Sequence, residues 1–213
     1  MFTIRREQMV AFEKAFESRF IRQAMFDLAA ERPEECERLG KQRLRALLEQ
    51  TVAKCDRYGI SEEDLLLQYA RLQIDHGADF ETSPEHSWAL AILENATLDQ
   101  HEKMDRLELE IFSRAGLDFI RSRKPEVLEE HGEKGFRDTI SRARKKCRRY
   151  QIDLRRHGLQ YLWLMCALGT DFDVEPESAW AGRILEDESL DSAEKVGRLE
   201  ARSGAQPDAI FNT

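Results

Sequence analysis

The sequence predicts an all-α protein built from two tandem copies of a helical domain of roughly 100 residues, joined by a continuous helix. Three observations predict this architecture. The sequence repeats itself at a fixed offset of 92 residues. Apolar residues recur at helical spacing, without the period-2 alternation that indicates strands. The chain has only 11 Gly and 5 Pro, which disfavours an all-β fold with many turns.

The repeat is ungapped over residues 55–108, where about 25 of 54 positions match the residue 92 places further on. Four of the five prolines and two of the three tryptophans fall into register, which chance does not produce. We therefore predict one helical domain over 1–105, a second copy over 106–203, and a flexible tail over 204–213. The best-matched segments are 55–60 with 147–152, 77–80 with 169–172, and 92–94 with 184–186.

The first copy begins with a long amphipathic helix over residues 4–30, and Pro33 then favours the first turn of a short helix. Residues 41–58 form the next helix, which Gly59 ends. The apolar positions that predict the first helix are Ile4, Met9, Phe12, Phe16, Phe20, Met25 and Phe26.

A capping box that starts at Ser61 predicts a helix from there to about His76, and Pro84 begins another. Asp99 opens a second capping box, matched by Asp191 in the other half. Residues 102–123 read as one continuous helix across the domain boundary. The total is about five helices per copy.

Composition excludes several classes of protein. Hydrophobic residues are 41% and charged residues 35% of the chain, and no apolar run approaches the roughly 18 residues of a membrane span. The N-terminal stretch is too charged for a secretory signal peptide, which predicts a cytoplasmic protein. The formal net charge of −8 makes general nucleic-acid binding an unfavourable interpretation.

The sequence contains no recognisable catalytic or metal-binding motif. None of the five histidines recurs at the paired position of the other half, and the four cysteines lack C-x-x-C spacing. Cys55 and Cys147 are repeat partners on apolar helix faces, so we predict reduced core thiols. Phosphate-binding and nucleophile-elbow motifs are also missing. We expect no cofactor, no metal and no enzymatic activity.

The two halves differ most in charge. Residues 1–105 carry 14 basic and 21 acidic residues, a net charge of −7, whereas residues 106–213 carry 19 and 20, a net charge of −1. The acidic side chains of Glu62, Glu63, Asp64 and Asp75 in the first half form a face suited to a basic protein target.

In the second half, Arg155 and Arg156 follow the strongly basic segment 142–149. These cations have three interpretations. They are a solvated helix end that suits the helix dipole, a docking patch for an acidic partner, or, more weakly, an RNA contact.

Apolar substitutions mark a second candidate surface. Four polar positions over 71–76 become Trp163, Met165, Ala167 and Leu168 in the second half. A helix that is apolar on all sides must be covered, and Trp is a frequent interface anchor. We therefore expect Trp163 and Met165 to face either the first copy or another protein, and the second option includes a homodimer.

Five segments together resemble a family of small all-helical bacterial proteins encoded beside type VI secretion spike and effector genes. Each half resembles the family in turn, so the chain resembles a duplicated member. It departs from the family pattern at Gln151, where the family has Gly, and over 71–75, where the family helix is more apolar. The segments are IRREQMVAF (4–12), RYGI (57–60), GADF (77–80), WALAIL (88–93) and EKMDRL (102–107).

The resemblance implies a setting and transfers no catalytic residue. Two roles fit that setting. One is a cytoplasmic immunity protein that binds and neutralises an effector toxin such as a nuclease, whose basic cleft the acidic charge would complement. The other is an adaptor or chaperone that holds an effector for loading onto the secretion spike, which favours an apolar groove over a charged face.

Overall fold

A computed structural model describes the backbone of residues 6–205 and the side chains of residues 15–205. Within that part of the chain there are ten α-helices and three short 3₁₀ turns, and no strand, so the predicted all-α class is confirmed. The same residues contain no helix with the length and apolarity needed to cross a membrane. The helices are α1 (Arg6–Glu31), α2 (Pro33–Leu39), α3 (Lys41–Arg57), α4 (Glu63–His76), α5 (Ser87–Leu93), α6 (Gln100–Arg123), α7 (Pro125–Arg149), α8 (Leu154–Leu168), α9 (Ala179–Leu185) and α10 (Ser192–Ser203).

Close backbone contacts divide the chain into two compact units, Met1–Leu107 and Glu108–Thr213. We call these the first and second units. The predicted helix over 102–123 is confirmed by α6, which runs without a break from Gln100 to Arg123. The predicted tail falls mostly on residues 206–213, and the predicted contribution of Ile4, Met9 and Phe12 to the first helix face concerns side chains. Both lie outside the described residues.

Most helix ends follow from the residues at them. Pro33 and Pro125 stand at the first position of α2 and α7. The capping box at Asp99 is confirmed, because Asp99 Oδ1 accepts from the Glu102 amide at 2.8 Å and Glu102 Oε2 accepts from the Asp99 amide at 3.0 Å. The matching box at Asp191 is also present.

The predicted capping box at Ser61 is wrong. The N-cap of α4 is Glu62, and its side chain makes no capping bond. A side chain at the start of α6 caps α4 instead. Gln100 Oε1 accepts from the backbone amide of Ser61 at 2.9 Å and from that of Glu62 at 3.4 Å. A partner 39 residues away satisfies the helix start that the local motif was expected to satisfy.

Each unit has its own apolar core. In the first unit, α3 packs on α1, α2 and α4. The fully buried side chains there include Leu28, Leu48, Tyr69, Phe80 and Leu93. In the second unit, α8 packs on α7 and α10, and its core includes Phe136, Ile140, Tyr161, Phe172 and Leu199.

The turn after α3 shows how one local conformation is met by different residues in the two units. Gly59 has φ +70°, and the amide of Ile60 donates to Cys55 O at 2.8 Å. In the second unit Gln151 has φ +56°, and the amide of Ile152 donates to Cys147 O at 2.8 Å. Gln151 is the one non-glycine residue with positive φ in the described part of the chain, so it holds a left-handed conformation that favours glycine.

Candidate functional site

The first unit contains an open groove of about 710 Å³ between α1, α3 and the start of α4. Ile60 and Leu66 are nearly fully buried and form part of its lining, whereas Phe16 on α1 is 36% exposed. The volume lies within the range of about 300–1,000 Å³ that is usual for ligand sites. The described residues that line it are Phe16, Glu17, Glu49, Val52, Ala53, Asp56, Ile60, Ser61 and Leu66, and we call this feature the α1–α3 groove.

The charged residues in the described lining of the groove are all acidic. Its lining holds the carboxylates of Glu17, Glu49 and Asp56 and, among the described residues, no lysine or arginine. Glu49 and Asp56 are exposed, and Glu49 Oε1 accepts from Arg45 Nε at 2.9 Å. An exposed pair of this kind contributes little free energy, so Glu49 can exchange its partner for another cation. The groove thus combines an apolar lining with an anionic rim.

A stacked arginine links the groove to the acidic start of α4. The guanidinium carbon of Arg19 lies 5.7 Å from the centre of the Phe16 ring. The same guanidinium forms an ion pair with Glu63. One cation therefore holds the Phe16 side of the groove against the start of α4.

In the second unit, the residues 92 places beyond three groove residues form a cluster of ionic side chains. The residues 92 places beyond Phe16, Val52 and Asp56 are Glu108, Arg144 and Arg148. Glu108 Oε2 accepts from Arg144 Nη2 at 2.7 Å and from Arg148 Nη2 at 2.6 Å. Arg144 is only 4% exposed.

The position that corresponds to the groove residue Leu66 also differs between the two halves. Gly158 stands 92 places beyond Leu66, and a Cβ atom there would lie 2.9 Å from the Phe112 ring. Phe112 is buried and packs where a larger residue at 158 would have to sit. The second unit thus lacks the Phe16–Val52–Leu66 combination and has ion pairs and a glycine at the corresponding sequence positions.

Each unit also contains a buried lysine–carboxylate cluster. In the first, Lys54 Nζ donates to Glu81 Oε1 at 2.5 Å, to Ala78 O at 2.7 Å and to Asp79 Oδ1 at 2.8 Å. The hydrogen bond and the charge of Lys54 lower the pKa of Asp79. The Glu81 side chain is 1% exposed, and this cluster fastens the loop after α4 to α3.

The corresponding cluster of the second unit has an additional donor. Lys146 forms ion pairs with Asp171 and Asp173, and the Tyr150 hydroxyl donates to Asp173 Oδ2 at 2.7 Å. Burial by itself raises the pKa of Asp173, but the bonds from Lys146 and Tyr150 outweigh it and lower that pKa. The same bonds anchor the loop after α8.

The predicted acidic face is only partly a surface. Glu62 is exposed, and its Oε1 contacts Gln100 Nε2 at 2.5 Å and His101 Nε2 at 3.1 Å. Glu63 pairs with Arg19, and Asp64 is exposed. Asp75 lies apart from these three, because its side chain is 13% exposed and accepts from Arg32 Nη1 at 2.7 Å. It is an internal tie between the ends of α1 and α4.

Trp163 and Met165 lie within the core of the second unit or against it. Met165 is 1% exposed, so its side chain offers no contact surface. Trp163 is partly buried, with its ring 6.0 Å from that of Phe119 and with Lys124 Nζ 4.6 Å from the ring centre. The apolar character of α8 is thus accounted for largely by packing within the second unit.

Arg155 and Arg156 are exposed at the start of α8. Their backbone amides donate to the N-cap side chain, because Asp153 Oδ1 accepts from them at 2.9 and 3.0 Å. The Arg156 guanidinium lies 4.0 Å from Asp153. The structure therefore keeps these two side chains on a surface, separate from Trp163 and Met165.

Nothing in the described part of the chain forms a metal-binding group of His, Cys, Asp or Glu. Cys55 and Cys147 are fully buried free thiols, as predicted, and burial raises the pKa of each to about 12. A thiol with so high a pKa carries almost no thiolate at neutral pH and is a poor nucleophile.

The α1–α3 groove was not predicted from the sequence. Its residues are scattered over positions 16–66, and each of them fits an ordinary helix pattern. One sequence signal could have revealed the groove. The residues 92 places beyond Phe16 and Val52 are Glu108 and Arg144, so an apolar pair in the first half corresponds to a pair of opposite charges in the second.

Comparison with known proteins adds no relative. The chain matches no protein-family model, and no curated protein or solved structure shows significant similarity to it.

Proposed function

We propose that the chain is a non-enzymatic protein-binding module made of two tandem copies of one helical domain. Matched contacts in the two units support the duplication. Lys103 Nζ donates to Tyr58 O at 2.7 Å, and Lys195 Nζ donates to Tyr150 O at 3.0 Å. These buried bonds join equivalent positions, whereas surfaces such as the groove differ between the units.

The α1–α3 groove carries the proposal that the chain binds a protein. Apolar side chains beside an anionic rim are a common arrangement in sites for peptide segments of a partner. The corresponding place in the second unit is filled by Glu108, Arg144 and Arg148. The two copies therefore differ in function. The first copy contacts the partner through this groove, and the second copy does not bind the partner through its corresponding surface.

The role that we propose for the module is that of a cytoplasmic immunity protein that binds and neutralises a type VI secretion effector toxin. The resemblance of both halves to helical proteins encoded beside such effectors supports this setting. The acidic residues at the groove and at Glu62, Glu63 and Asp64 complement a toxin with a basic active-site cleft, such as a nuclease. No cofactor enters this role.

The apolar lining of the groove favours a second candidate role. An adaptor or chaperone holds an effector through a hydrophobic segment, and Phe16 together with Val52 and Ala53 suits such a contact. The two roles share a binding site and differ in what binding does to the effector.

A pull-down with effectors encoded beside the gene, followed by a growth assay, tests both roles. Tight binding that restores growth supports the immunity role, and tight binding that leaves the toxin active but better secreted supports the adaptor. Reversal of Glu62, Glu63 and Asp64 to lysine is expected to weaken binding and flatten its salt dependence, with helical circular dichroism unchanged. Absence of binding to any such effector contradicts both roles.

A further inference from the structure

We infer that the α1–α3 groove receives a helical segment of the partner that is apolar on one face and carries lysine or arginine beside it. The inference rests on the proposed protein-binding function and names the chemistry of its ligand.

The backbone around the groove favours a helical ligand. One common mode of extended-peptide binding adds a strand to the edge of a sheet, and residues 6–205 contain no sheet. An amphipathic helix needs only an apolar groove, into which it lays side chains spaced three or four residues apart. Phe16 and Ala53 are exposed and Val52 is half-buried, so these three residues supply the accessible apolar surface of this one.

The charges at the rim select a cationic ligand. Glu17, Glu49 and Asp56 lie along the groove, with no described lysine or arginine in its lining. An acidic ligand would meet three like charges as it entered. A ligand with lysine or arginine beside its apolar face would instead pair with the carboxylates and bury its aliphatic stems against the lining.

The second unit shows that such chemistry fits this place in the fold. Arg144, at the position equivalent to Val52, lies there 4% exposed and paired with Glu108. A guanidinium beside a carboxylate is therefore stable at this site when the chain itself provides it. In the first unit the chain has apolar Val52 and anionic Asp56 instead, and the arginines beside the groove, Arg19 and Arg45, pair with Glu63 and Glu49. A cation of the ligand would pair with Asp56.

The test uses a fluorescein-labelled helical peptide of about 14 residues, made only of leucine and lysine with the leucines on one face. Fluorescence anisotropy with the full chain measures its dissociation constant at low and moderate salt. We expect saturable 1:1 binding, and no binding of the matched leucine–glutamate peptide.

Two variants of the chain locate the contact. Phe16→Ala removes a partly exposed ring and is expected to weaken binding about tenfold at both salt concentrations. Glu49→Lys/Asp56→Lys reverses two exposed rim charges and is expected to weaken binding about tenfold at low salt and to reduce its salt dependence. The control, Glu37→Lys/Glu85→Lys, makes the same change in net charge at exposed positions outside the lining and is expected to bind like the wild type.

Several results would overturn the inference. They are no saturable binding of the leucine–lysine peptide, equal weakening by the rim and control variants, or equal binding of the leucine–glutamate peptide. A wild-type dimer that dissociates on Phe16→Ala would assign the groove to a second copy. Two results together support the inference. The leucine–lysine peptide binds the full chain and a chain truncated after residue 205 with equal affinity, and the same peptide competes with a bound effector. If an effector binds but the peptide does not compete with it, the protein-binding function stands and this inference fails.

Discussion

Replacement of Lys54 by methionine tests how much the buried cluster of the first unit contributes to stability. Lys54 Nζ lies 2.5 Å from Glu81 Oε1, and the side chains of these residues are 12% and 1% exposed. The variant leaves the Glu81 carboxylate in the interior with no cation beside it. Asp79, the other acidic partner of Lys54, is 68% exposed and regains solvent when the lysine is removed.

The expected cost follows from that difference in burial. Loss of one partner from a buried ion pair destabilises a protein by about 3–5 kcal/mol, because the remaining charge is left without compensation. The exposed pair with Asp79 accounts for at most about 1 kcal/mol. With a urea m-value of about 1–3 kcal/mol/M, the unfolding midpoint of the first unit should fall by about 1 M or more.

Urea unfolding followed by circular dichroism measures this shift, and two further variants control it. Lys54→Met/Glu81→Leu removes both charges, so its stability should return to within about 1 kcal/mol of the wild type. Arg45→Met breaks an exposed pair with Glu49 and should cost less than about 0.5 kcal/mol. If the single Lys54 variant costs no more than the Arg45 variant, or if the double variant does not recover, the cluster does not act as a buried ion pair.

Three further predictions concern backbone fit and pH. Gln151→Gly should raise the stability of the second unit by about 0.5–1 kcal/mol, because it removes the strain of a left-handed residue, and Gly59→Gln should lower the stability of the first unit by a similar amount. Equal urea unfolding midpoints for both variants and the wild type would refute this prediction. Gly182→Ala should cost about 1–3 kcal/mol, because its Cβ would lie 2.8 Å from Asp173 O, whereas Gly197→Ala, with nothing within 4 Å, should stabilise the protein by up to about 1 kcal/mol in thermal melts. The lowered pKa of Asp173 stabilises the second unit above its unfolded value of about 3.9, and this contribution is lost as the pH falls through the folded pKa; Asp173→Asn should therefore reduce the loss of stability between about pH 5 and pH 2, as measured by urea midpoints.

The helices were predictable because their signals are local. Pro33, Gly59 and the Asp99–Glu102 pair each fix a helix end through neighbours within a few residues, and all three appear as expected. The prediction at Ser61 was wrong for the opposite reason. The donor groups there are satisfied by Gln100, and no local pattern announces a partner 39 residues away.

The candidate site was harder to predict because the exposure of a side chain to a binding partner depends on which residues pack against it in three dimensions. Glu62 and Asp75 look alike in sequence, yet one is exposed and the other is held by Arg32 near the interior. Met165 looks like a surface apolar residue by comparison with Gln73 of the first half, but both are buried at 1% exposure. The groove itself is defined by space between helices, which a residue pattern does not record.

The bonds from Lys103 and Lys195 have a consequence for synthesis on the ribosome. Each lysine satisfies a tyrosine carbonyl 45 residues earlier in the chain. At about 5–20 residues per second, the ribosome needs about 2–9 s to add that intervening stretch. Until the lysine emerges, the end of α3 or α7 has a carbonyl without its buried donor. Each unit therefore completes its fold late, when its last helix leaves the exit tunnel, and a ribosome that stalls shortly before either lysine would hold an unfinished unit exposed to chaperones and proteases.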